Sequence, residues 1–155
     1  MPATVKETTT DLRAFDQETA SALLHICRMA FPHPRIDDEC YEHVVNLLDA
    51  KALADPHLAT LIKDSVLVLN YNAGGNWQHL DDAARLATLR AISHTTFFQT
   101  VRSEMVNSFY SNPAVWRSLG YEGPSNDKGG YDNRGFNGIS WLRPDDRVPN
   151  PEPME

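Results

Sequence analysis

The chain has 155 residues, 41% of them hydrophobic and 23% charged, with a net charge of -7. That is one domain's length with enough apolar content for a core, which excludes a disordered acidic chain. The acid excess and the lack of a Lys/Arg cluster argue against nucleic acid as a partner, and no apolar run approaches the roughly 18 residues of a transmembrane segment.

Residues 1–15 are expected to be a flexible arm. They carry neither an apolar signal core nor a twin arginine, and Met1-Pro2-Ala3 reads as a start, so a cytoplasmic location is expected. Asp16 is placed to cap a first helix through about Phe31, with Ala20, Leu23, Leu24, Cys27 and Phe31 on one side. Pro32-His33-Pro34 ends it. Asp37 or Asp38 starts a second helix with Tyr41, Val44, Val45 and Leu48 inward. Asp55-Pro56 starts a third, a capping carboxylate followed by proline at the first helical position, carrying Leu58, Leu61, Ile62, Val66 and Leu69. Gly74-Gly75 closes that region. A fourth helix runs from Asp81 or Asp82 to Ile92. A fifth spans about Thr95 to Tyr110, with Phe98, Val101, Met105 and Phe109 on one face. Asn112-Pro113 breaks it, and residues 114–119 have room for one short helical turn. Tyr110 and Trp116 flank the break and are placed to lock it by packing.

Composition changes near residue 111. Residues 1–110 hold two glycines and four prolines, and residues 111–155 hold six of each. The expected fold is therefore all-α: a compact helical domain of about five helices over 16–119, then an ordered, irregular Gly/aromatic-rich extension over 120–144, and a flexible tail over 145–155.

Catalytic chemistry is hard to assemble from this sequence. His25, His33, His43, His57, His79 and His94 form no HExxH pattern, and Cys27 and Cys40 form no zinc-ligand spacing with them. His33 is singled out because two prolines hold it on a loop. The thiols read as reduced helix residues; a Cys27–Cys40 disulfide is possible, but nothing demands it. The Gly-Pro-Ser-Asn-Asp-Lys-Gly-Gly run lacks the Gly-Lys-Ser/Thr of a phosphate loop, and GxSxG is absent. No catalytic, metal or cofactor-binding residue is assigned.

The segment from Gly120 to Trp141 is the most informative. Six of the eight glycines lie in it, together with Tyr121, Tyr131, Phe136 and Trp141. These aromatics follow no helical or strand period. They either fill a small local cluster or are buried by another subunit, and the second alternative is the expectation, because interface cores favour aromatics and arginine, and glycine permits close approach. The expected partner contacts are Trp116, Tyr121, Pro124, Gly129, Gly130, Tyr131, Arg134, Phe136 and Trp141.

Several motifs together resemble the gluconate 2-dehydrogenase subunit 3 family. They are Leu24-His-Ile-Cys27-Arg28, Phe31-Pro32-His33, Tyr41, Leu48-Asp49, Phe97-Phe98-Gln-Thr-Val101-Arg102, and Phe109-Tyr110-Ser-Asn112-Pro113-Ala-Val115-Trp116. They continue as Leu119-Gly-Tyr-Glu-Gly-Pro-Ser125, Gly129-Gly130-Tyr131, Arg134-Gly135-Phe136 and Trp141. The likeness covers about residues 15–142, and its C-terminal block is the specific part. It implies a gamma-type small subunit with no cofactor of its own. The implied partner is a large FAD-dependent dehydrogenase of the glucose-methanol-choline class that oxidises an alcohol group of a sugar, glycoside or related alcohol, in some assemblies with a cytochrome subunit. The small chain would bind, stabilise or help mature that partner. Many relatives carry a twin-arginine signal, which this sequence lacks: either it was trimmed, or the complex is cytoplasmic, or the partner supplies the signal, and the location is periplasmic in the first and last cases. The competing readings are a stand-alone metal-dependent enzyme using the histidines and a transient chaperone-like binding module.

Overall fold

The structure is a computed structural model, and it describes residues 12–124. Among these there is no strand. Six α-helices follow in order: α1 (Gln17–Ala30), α2 (Asp38–Ala54), α3 (Pro56–Asn72), α4 (Asp82–Ile92), α5 (Thr96–Glu104) and α6 (Pro113–Leu119). A 3-10 turn, Trp77–His79, precedes α4, and a π turn, Met105–Phe109, prolongs α5. The chain divides after Tyr121. Of the second unit only residues 122–124 are described, an irregular stretch in which Gly123 has a φ of +89°. The expected extension and tail otherwise lie outside the described residues.

Local capping chemistry sets most helix starts. The Asp16 carboxylate accepts the Thr19 N–H, Asp55 accepts those of His57 and Leu58, and Asp81 accepts that of Ala84. Each satisfies donors that a first helical turn leaves without a partner. Thr95 and Asn112 do the same for Phe98 and Ala114. Asp37 stands at the start of α2 without a side-chain capping bond. At the end of α3, Gly74 has a φ of +72°, which a side chain would strain.

Helix α2 is the hub: it packs against α1, α3, α5 and the π turn. Tyr41, Val44, Val45, Leu48 and Ala52 are its buried line, and Leu23, Ile26 and Cys27 of α1 close over it. On α3, Ile62, Val66 and Leu69 are buried, whereas Leu58 and Leu61 sit half-buried at the margin of the core.

The apolar face of α5 differs from the expected one. Phe97, Val101, Met105 and Phe109 are buried, and Phe98 is only partly covered. Four-residue steps in an α-helix drift by about 40° each, so a straight helix would turn Phe109 away from Phe97. The π turn holds more residues per turn and returns Phe109 to the core.

The expected arm ends before residue 15. The Asp49 carboxylate, 5% exposed, accepts the backbone N–H groups of Arg13, Ala14 and Phe15 at 3.0, 3.0 and 2.8 Å. Phe15 is buried as a consequence. Three donors converging on one carboxylate compensate its loss of water. Sequence position alone suggested a loose end; the holding group lies 34 or more residues away.

Trp77, which no sequence signal marked, is fully buried. Asn70 positions it: its side chain accepts the Trp77 N–H at 2.9 Å and donates to Glu18 at 2.9 Å.

Asp49→Ala should leave three N–H groups of residues 13–15 unsatisfied and lower stability by about 2–4 kcal/mol in urea denaturation; a loss within ~0.5 kcal/mol would show that residues 12–15 add nothing. Ile62→Ala should cost about 2–5 kcal/mol in the same assay, and Leu61→Ala clearly less, because Leu61 keeps contact with solvent.

Glu104 generates a pH prediction. Its side chain is 8% exposed and is bonded by Lys51 and by the Ser108 hydroxyl. Burial pushes its carboxyl up, but the bonds from Lys51 and Ser108 outweigh that and leave it below the ordinary glutamate value of 4.5. A carboxyl depressed in the folded state stabilises above its unfolded value, and that stability is lost as pH falls through the folded value. Glu104→Gln should therefore flatten the decline in stability below about pH 4.5, read by urea midpoints from pH 6 to 3. An unchanged acid limb would show that Glu104 carries none of it.

Candidate partner-binding surface

The sequence nominates the C-terminal end of the helical unit as a contact surface. Asn112 caps α6, and Pro113 occupies its first turn, where a missing N–H costs nothing. Val115 is buried and anchors the helix. Gly120, at a φ of +76°, ends it in the left-handed conformation. The chain then doubles back, and the Tyr121 N–H donates to the Trp116 carbonyl at 2.8 Å.

This cap brings two aromatic side chains together. The rings of Trp116 and Tyr121 meet edge to face, with centroids 5.4 Å apart and planes at 87°. Such pairs contribute about 0.5–1.5 kcal/mol beyond the area they cover. The Trp116 indole N–H donates to the Tyr110 carbonyl at 2.5 Å, across the Asn112-Pro113 break. The expected lock at this break is therefore an indole–carbonyl hydrogen bond. Trp116 is half-buried, Leu119 is 49% exposed and Tyr121 is 45% exposed. Trp116 and Leu119, three residues apart on α6, are neighbours on its surface.

Of the expected contact residues, Trp116 and Tyr121 are thus brought together. Pro124 is exposed and belongs to the second unit. Gly129, Gly130, Tyr131, Arg134, Phe136 and Trp141 lie outside the described residues.

Around Tyr110 lies an aromatic cluster whose members, Phe31, His33, Tyr41, Phe109 and Tyr110, the sequence places one by one without grouping them. The His33 ring stacks on Phe109 at 5.8 Å and 18°, and stands perpendicular to Tyr110 at 5.7 Å. Its Nε2 shares a 2.8 Å hydrogen bond with the Tyr110 hydroxyl. Burial raises the Tyr110 phenol above its ordinary value, which keeps its proton on. Phe109 also packs on the buried Tyr41 ring at 4.5 Å, and the Tyr41 hydroxyl donates to the Phe31 carbonyl at 2.6 Å. Arg28 lies over the other aromatic element, 4.5 Å from the Tyr41 ring centre, pairs with Asp38, and donates to the carbonyls of His33 and Ile36. The proline-flanked loop is held from three sides.

The remaining histidines are scattered. The Nδ1–H of His25 donates to the Ser21 carbonyl at 2.8 Å, and His43, His57, His79 and His94 are exposed. Among the described residues no three His, Cys, Asp or Glu side chains converge as metal ligands. Cys27 and Cys40 are both free thiols, and burial pushes Cys27 up to about 12, where it is inert as a nucleophile.

One apolar surface was not foreseen. On α3, Leu67, Val68 and Tyr71 are 69%, 55% and 84% exposed. In the C-terminal half of α3 the outward Leu67, Val68 and Tyr71 alternate with the inward Val66 and Leu69, so the sequence there reads as one apolar run in which the exposed stripe does not stand apart.

No protein-family model, curated protein or solved structure matches this chain.

Proposed function

We propose that this chain is a non-catalytic small subunit that binds and stabilises a large FAD-dependent dehydrogenase of the glucose-methanol-choline class. In that assembly the partner holds the flavin and oxidises an alcohol group of a sugar, glycoside or related alcohol. The observation that carries the reading is the Trp116–Tyr121 pair: two large aromatics, ordered against each other and still partly open at the end of α6. Ordered, partly exposed aromatics are the material of binding hot spots, because little side-chain freedom remains to be lost on docking. The pair stands directly before the Gly/aromatic block whose motifs resemble the gamma-type subunits. Its amphipathic character, apolar rings with a phenol and Leu119 alongside, suits a partner groove that is apolar with a hydrogen-bonding rim.

The test is coexpression with a large FAD-dependent dehydrogenase of the glucose-methanol-choline class from the same genome. The two should copurify in a fixed ratio, and the flavoprotein's thermal stability should fall when this chain is omitted. Tyr121→Ala and Trp141→Ala should each weaken association by about thirtyfold, the equivalent of ~2 kcal/mol for a desolvated aromatic anchor, with far smaller effect on the unfolding of the chain alone. Failure to associate with any such flavoprotein would overturn the function. A loss that follows Tyr71→Ala and spares Tyr121→Ala would move the docking surface to α3.

A further inference from the structure

We propose that His33 and Tyr110 form a clamp that sets how the Trp116–Tyr121 pair is presented to the partner. The inference rests on the reading above, in which that pair is the docking surface.

Three consecutive contacts lead from His33 to Tyr121. His33 has its backbone fixed by Pro32 and Pro34, and its carbonyl accepts the Ile36 N–H at 3.1 Å. Its ring lies within 18° of parallel to Phe109 and perpendicular to Tyr110, and in this orientation Nε2 meets the Tyr110 hydroxyl 2.8 Å away. Tyr110 is the residue at which the π turn ends, and its carbonyl accepts the Trp116 indole N–H. Trp116 in turn holds Tyr121 through the ring pair and the backbone bond. Each link engages a different atom of the next residue. A rotation of the Tyr110 peptide therefore moves the acceptor of the indole, and the indole sets the edge that meets Tyr121. The bond to His33 is the polar tie on the Tyr110 side chain that opposes such a rotation. The clamp thus joins the loop after α1 to a surface 77 or more residues further along the chain.

The test separates positioning from plain stabilisation. His33→Phe keeps a ring to stack on Phe109 but removes the bond; Tyr110→Phe removes a single oxygen; His33→Gln offers a side chain that can bond the hydroxyl again. The first readout is the Trp116 indole N–H resonance of the chain alone, assigned with Trp116→Phe. The second is association with the coexpressed flavoprotein. His33→Phe and Tyr110→Phe should shift the indole resonance, speed its exchange with solvent by about tenfold, and weaken association about five- to tenfold, the scale of one partly buried hydrogen bond. The double variant should do no more than either single one, and His33→Gln should restore both readouts in large part. An indole resonance that stays in place in both single variants overturns the clamp, as does a loss of association that tracks thermal stability alone. Should His33→Phe not fold, Tyr110→Phe decides the matter. Absence of association in the wild-type chain overturns the docking reading separately, since the indole signal is read without a partner.

Discussion

The C-terminal half of the helical unit hangs from the π turn at Met105–Phe109. An unbroken α-helix would have turned Phe109 away from the side that Phe97 occupies, because the apolar residues of this segment repeat every four positions. The π turn keeps Phe97, Val101, Met105 and Phe109 in one line and leaves Tyr110 pointing at His33. Glu104 stabilises the turn where it begins. Its buried carboxylate receives the Ser108 hydroxyl from inside the turn and Lys51 from α2. A wider turn is intrinsically less favourable than a regular one, so it persists where packing and hydrogen bonds are arranged to require it. Here both are: Phe109 fills the space against Tyr41, and Glu104 ties the turn to α2.

What could be read from the sequence was what short-range chemistry decides. Asp16, Asp55 and Asp81 announce helix starts because a carboxylate captures N–H groups two or three residues ahead. Pro32, Pro34 and Pro113 announce breaks for an equally local reason. The inward residues of α1 and α2 followed from periodicity. The misses share a different cause. Asp49 looks like any helical carboxylate until residues 13–15 arrive to use it. Trp77 looks like a loop residue until Asn70 catches its N–H. The π turn breaks the α-helical period on which the reading of α5 depends, and the line it keeps inward runs through Phe97, with Phe98 only partly covered. In each case the deciding partner is distant in sequence or the geometry is irregular, and neither leaves a mark on local pattern. The candidate surface was half legible: aromatic content nominated Trp116 and Tyr121, but their mutual geometry and the tie to Tyr110 came only with the fold.

The motifs that carry the family resemblance can be sorted by what they do in the fold. Cys27 and Val101 are core. Arg28, Phe31, His33 and Tyr41 bind the loop after α1 to its surroundings. Asp49 holds residues 13–15, and Asn112, Pro113 and Val115 build α6. Trp116 locks the break before α6. These roles serve the helical arrangement itself, whatever the chain binds. On the proposed reading, partner-specific information would sit in residues that the fold leaves partly open, and among the described residues quoted for the resemblance Leu119 and Tyr121 stand out.

Under the proposed function two apolar surfaces compete for the role of docking site, and pre-organisation separates them. The stripe on α3 exposes more area, but its Tyr71 side chain is 84% exposed and would have to be immobilised by the partner. Ordering such a side chain costs about 0.5–1.5 kcal/mol before any contact is counted. Trp116 and Tyr121 have met much of that cost within the chain: the indole is bonded to Tyr110, the cap returns Tyr121 onto Trp116, and the rings lie at right angles. The same area of contact therefore yields more association energy at the end of α6 than along α3. If the proposed reading holds, a small chain with little surface to spare gains most by ordering a few aromatics in advance, and the bonds from His33 through Tyr110 to Trp116 supply that order from within the helical unit.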